Sequence, residues 1–116
     1  MPDHDDEKTR PSPIEAMVAL GGDPHRLLRG EDPHTEYADD ARHWIAVYRE
    51  LLGFKHDVLG KVREDMERIS DSARSEVLDT DLPLMEAEAR RFEHRIDFWE
   101  KRLRELERSP RRSGHG

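Results

Sequence analysis

At 116 residues, with charged side chains making up 41% of the chain and hydrophobic ones 34%, the protein has room for one small domain and too little apolar mass for a thick globular core. Its net charge of −7 argues against nucleic acid or a membrane surface as main partner, since both require a basic face. With no cysteine it forms no disulfide, thiolate nucleophile or Cys-based zinc site, and no apolar run approaches the roughly 18 residues of a membrane span.

Residues 1–11, opening "MPDHDDEKTR", are acidic and proline-bearing. They read as a disordered tail and not as a signal peptide, which places the protein in the cytoplasm. Residues 12–34 read as short helical segments and turns. In "SPIEAMVALGG", Ser12 is a helix cap, Pro13 stands at the first helical position and Gly21–Gly22 is a stop. "DPHRLLRG" repeats that grammar with Asp23, Pro24 and Gly30, and Asp-Pro-His recurs at 32–34. Helices this short are marginal alone, so their apolar faces must dock on something.

Residues 35–108 read as an antiparallel helical hairpin. Thr35 can cap a first long helix from about Glu36 to Ile69, with Glu36, Asp39 and Asp40 at its positive end. The Ser-, Asp- and Thr-rich stretch 70–81 reads as the connection. A second long helix runs from Leu82 to Glu107, with Thr80 or Asp81 as cap and Pro83 in its first turn. Residues 109–116, "SPRRSGHG", read as a disordered basic tail closed off by Pro110.

The two long helices carry matching heptads. The first has a positions at Ile45, Leu52, Leu59 and Met66, and d positions at Tyr48, Lys55, Val62 and Ile69. The second has a at Leu82, Ala89, Ile96 and Leu103, and d at Met85, Phe92, Trp99 and Leu106. Sustained 3-4 spacing of this kind marks a coiled coil. At position e the first helix has Arg42, Arg49, His56 and Arg63, and the second has Glu86, Glu93, Glu100 and Glu107. One antiparallel register pairs Arg42 with Glu107, Arg49 with Glu100, His56 with Glu93 and Arg63 with Glu86. Its turn centre falls between Ser75 and Glu76. Exposed ion pairs contribute about 0–1 kcal/mol each, so the charges select the register while the apolar seam stabilises it.

The hairpin leaves apolar side chains over. Trp44, Leu51 and Val58 at g positions of the first helix are apolar, as are Val47 and Phe54 at c, and the second helix adds Leu84 and Phe98 on its c column. These seven are the candidate partner-binding residues, because two helices alone cannot cover them. Three covers are open: residues 13–28 folding back, a second copy completing a four-helix bundle, or a different protein. Gly53 and Gly60, in line with Ala46, also give the first helix a row of small residues that suits close approach.

Site chemistry is sparse. Glu36, Asp40 and His43 share a helical face, but neither long helix carries the Glu-x-x-His pair of di-iron bundles. No phosphate loop, nucleophile elbow or zinc signature occurs. The sequence assigns no catalytic residue, metal or cofactor.

A cysteine-free helical hairpin with "RRFEHRID" on its second helix resembles the RsiG-type anti-sigma factors of actinobacteria, over residues 41–107. That resemblance implies a hairpin that clamps a sigma factor with cyclic di-GMP as co-ligand, gripped by E-x3-S-x2-R-x3-Q-x3-D on each helix. Aligned on Asp97, this chain has Glu93 for the glutamine, Ala89 for the arginine, Glu86 for the serine and Leu82 for the glutamate. Only Asp97 matches, and the phosphate-facing arginine is missing, so no dinucleotide is expected. What carries over is the clamping of a protein partner. The expected function is a non-catalytic protein-interaction module, a transcriptional regulator of anti-sigma type. The alternative is a homodimeric helical bundle that binds a metal or small ligand.

Overall fold

The computed structural model describes residues 12–108, and within them every regular element is helical. The tails expected at 1–11 and 109–116 lie outside the described residues. Helix α1 spans Pro13–Gly21, and its ends follow from local chemistry. The Ser12 hydroxyl accepts from the Glu15 N–H at 3.1 Å, and Pro13 occupies a position where a missing N–H costs nothing. The Gly22 N–H closes the far end on the carbonyls of Leu20 and Val18.

The second short helix does not form. From Gly22 to Tyr37 the chain is a strap of turns, and each Asp-Pro-His makes the same one. The Asp23 carboxylate accepts from the His25 N–H at 2.9 Å, and the Asp23 carbonyl accepts from the Arg26 N–H at 3.1 Å. Asp32 repeats this with His34 and Thr35, at 2.9 and 3.2 Å. An aspartate that bonds the backbone two residues on closes a turn as readily as it caps a helix. The few residues after each proline cannot meet the cost of helix nucleation.

Helix α2 spans Ala38–Asp65, a shorter run than Glu36–Ile69. Thr35 stays outside it: its hydroxyl accepts from the Tyr37 N–H at 3.2 Å and donates to the Asp40 carboxylate at 2.5 Å. The chain then reverses over residues 66–70, well before Ser75. Ser70 caps helix α3, Asp71–Glu76, by accepting from the Ala73 N–H at 3.3 Å. The stretch expected to be a connection is therefore helical, with its polar residues on solvent-facing turns. One wide π-helical turn, Val77–Asp81, joins α3 to helix α4, Leu82–Arg108, so no separate cap at Thr80 or Asp81 is needed. Within it the Leu82 N–H bonds to Val77, five residues back. The widening lies just before Pro83, whose ring would clash with the preceding turn of a regular helix.

Helices α2 and α4 pack side by side and run antiparallel. Arg42 lies 3.3 Å from Glu107, Arg49 2.8 Å from Glu100, His56 4.0 Å from Glu93 and Arg63 3.5 Å from Glu86. Between them Ile45, Tyr48, Leu59, Ala89, Phe92, Ile96, Trp99 and Leu106 are buried. Lys55, the polar residue of the seam, turns its ammonium to Glu88 at 3.2 Å. The molecule is only 19 Å thick in its smallest dimension, close to two helix diameters.

Helix α1 and the strap lie along the edge opposite the ion pairs. A Cβ on Gly21 would meet Leu84 and Glu88 of α4 at 3.0–3.2 Å, and one on Gly22 would meet Ala87 at 3.3 Å. The two glycines thus let the backbone seat directly on α4. Further along, Leu28 packs against the core, as do Trp44 and Leu51.

Candidate functional site

The strap carries one fully buried carboxylate, and its position follows from a turn. Gly30 has φ +86°, a left-handed conformation that glycine adopts without strain. It closes a β-turn in which the Glu31 N–H donates to the Leu28 carbonyl at 3.1 Å. That turn aims the Glu31 side chain between the two long helices, where its exposure is 0%.

Five donors converge on it. Oε1 accepts from the Leu28 N–H at 2.8 Å and from the Tyr48 hydroxyl. Oε2 accepts from Arg95 Nη2 at 2.6 Å, Arg95 Nε at 3.1 Å and the Trp99 indole N–H at 2.7 Å. Arg95 is itself buried, with its guanidinium 4.4 Å from the Phe98 ring centre. Burial pushes the Glu31 carboxyl up, but the bonds from Tyr48, Leu28, Arg95 and Trp99 outweigh it and hold it below the ordinary 4.5. Tyr48 moves the other way. Burial, then its bond to the Glu31 anion, pushes the phenol up to about 12, so it remains a donor. With both oxygens engaged, Glu31 is poorly placed to take a proton from a substrate. It works as a latch.

A ladder on α4 extends the latch. Arg95 Nη1 donates to the Pro24 carbonyl at 3.2 Å, Arg91 Nη2 to Arg26 at 3.4 Å and Arg102 Nη2 to Thr35 at 2.8 Å. Arg91, Arg95, Trp99 and Arg102 step by four, four and three residues, which puts them on one helical face. Burial, first of all, pushes the Arg91 guanidinium below its usual value.

The seven candidate partner-binding residues do not form one surface. Leu84 sits under Gly21. Phe98 lies in a shallow cleft with Pro24, His25, Leu27 and Pro33 of the strap. Trp44 and Leu51 are half-buried against the core, so the strap covers part of this edge. Val47 and Val58 are half-buried, and Phe54 is 67% exposed. Around Gly53 and Gly60 the surface is open. The eight charged residues of the hairpin edge meet in four pairs, as the distances above record.

Sequence reasoning passed over Glu31, Tyr48 as its donor, and the arginine ladder. The apolar face of α1, expected to dock, instead leaves Ile14, Met17 and Leu20 exposed, the last two by 51% and 58%, because the helix seats on α4 through the backbone at Gly21. One signal was present. Arg95 and Arg102 stand at g positions of α4, and the g residues Trp44, Leu51 and Val58 of α2 are apolar, so these guanidiniums had no acid opposite them.

Asp40 is engaged by Thr35, and among the described residues no three His, Asp or Glu side chains are grouped as metal ligands. No helix among the described residues is long and apolar enough to cross a membrane. In comparisons with known proteins, no family model, curated protein or solved structure matches the chain.

Proposed function

We propose that this chain is a non-catalytic protein-interaction module, a helical hairpin braced by its own N-terminal strap that presents an apolar ridge to another polypeptide. The outward face of α1 carries this reading. Ile14, Met17 and Leu20 recur every three residues and are all exposed. The helix seats on α4 through its two glycines and leaves its large apolar side chains outside. Contiguous exposed apolar groups of this kind mark interaction surfaces. The saturated state of Glu31 supports a non-catalytic role, since the best-buried acid has no bonding capacity left for a substrate.

The resemblance in the hairpin gives the partner as a sigma factor and the role as a cytoplasmic regulator of transcription. A second copy is the competing occupant of the ridge and would complete a four-helix bundle. The test compares the wild type with a Met17→Glu/Leu20→Glu variant. The wild type is expected to associate, either as a solution mass above 13.6 kDa by light scattering or in titration with purified sigma factors of its host. The variant should lose that association with unchanged far-UV circular dichroism. A monomer that binds none of them, or association that survives the charged ridge, would sink the reading.

A further inference from the structure

We propose that the groove beneath the strap is a receptor for a non-helical, carboxylate-bearing polypeptide, and that the strap is a resident ligand which an acidic segment of a partner protein displaces. The inference deepens the interaction-module reading and rests on it, but it uses a different surface.

The strap is held as a bound peptide would be. Three of its carbonyls, those of Pro24, Arg26 and Thr35, are gripped by arginines from one face of α4. Such contacts read the path of the backbone and not its side chains, so another chain with the same trace satisfies them. The strap's buried charged anchor is the Glu31 carboxylate, which receives the paired donors of Arg95.

The groove offers more donors than the strap uses. Nε of Arg91 and Nε of Arg102 are buried with no acceptor among the described residues. Arg91 forms no ion pair among the described residues, and Arg102 pairs only with Glu105 of its own helix, at 3.7 Å. The strap thus brings one buried carboxylate to three guanidiniums, and two of its own exposed side chains, Arg26 and Arg29, are also basic. A peptide with acids at those two positions complements the ladder better than the resident segment does. Displacement is local, because the strap has no helix to unfold and leaves the long-helix seam in place.

Two labelled synthetic peptides test this in fluorescence anisotropy, one with the sequence of residues 22–36 and one in which Glu replaces Arg26 and Arg29. Both are titrated into the full wild-type chain and into the full Glu31→Gln chain. Both should bind the variant at least about tenfold tighter than the wild type, since weakening the resident ligand raises the open fraction. The acidic peptide should be the tighter of the two. No binding to either chain, an acidic peptide no tighter than the other, or equal binding by a scrambled acidic peptide would overturn the proposal. Hydrogen exchange on the wild-type chain guards against a misfolded variant. With saturating acidic peptide, the Leu28 amide should lose protection while α2 and α4 keep theirs, and unchanged Leu28 protection also overturns it. Peptide binding that persists in the Met17→Glu/Leu20→Glu chain separates a failure at the ridge from one in the groove.

Discussion

The two halves of the hairpin carry the same heptad spacing and reach different states of burial. Toward the turn, α2 and α4 have each other and only the end of α1 at Leu84–Glu88, and no residue from Gly60 to Glu86 is fully buried. Away from the turn the strap adds a third layer. There Ala38, Ala41, Ile45, Tyr48, Phe92, Ile96, Trp99 and Leu106 form a buried cluster, with Glu31 and Arg95 inside it. A seam of two helices leaves each a and d side chain with an open flank. Whether that flank closes depends on a segment outside the repeat, so equal spacing does not imply equal stability.

Removing the latch should break the comparison most strongly. Arg95→Ala leaves the Glu31 carboxylate buried without its cation, a loss of about 3–5 kcal/mol, read as a lower urea midpoint. If the strapped half is the stable one, core truncations should differ by position. Ile96→Ala should cost about 2–4 kcal/mol, whereas Met85→Ala, at a partly exposed site, should cost about 1 kcal/mol.

Acid should weaken the strapped half through the latch. The folded-state pKa of Glu31 lies below its unfolded value, so its stabilising contribution is complete above about 4.5. It is lost as pH falls through the lower folded value. Trp99 emission should report this step, and a Glu31→Gln chain should lack it. Gly30→Ala, which puts a side chain at φ +86°, should cost about 1 kcal/mol. Smallest of all is the Arg49–Glu100 pair, with side chains 62% and 36% exposed. A double-mutant cycle should return about 0–1 kcal/mol, falling with salt.

The hairpin was legible because its determinants are local and periodic. The 3-4 spacing and the run of e-position charges lie within single helices, and one register relates them. The strap was not legible in the same way. "DPHRLLRG" contains the residues of a helix start and of an Asx turn alike, and the carbonyls gripped by α4 decide between them. Glu31 looked like any of the chain's acids, since its donors come from positions far along the sequence. Pro83 misled for a different reason: its constraint is met by a wide turn at 77–81, and the helix continues where a break was expected.

The sequence separation of the latch orders the folding pathway. Arg95 and Trp99 reach Glu31 across 64 and 68 residues, and Arg95 reaches Pro24 across 71. The reversal at 66–70 brings its neighbours together over a much shorter span. Closing the longer loops costs more chain entropy and comes after the short ones. The hairpin therefore zips from its weakly buried tip, and its best-packed region assembles last. In pulse-labelling, the amide of Leu28 should gain protection after those of Val62 and Glu86.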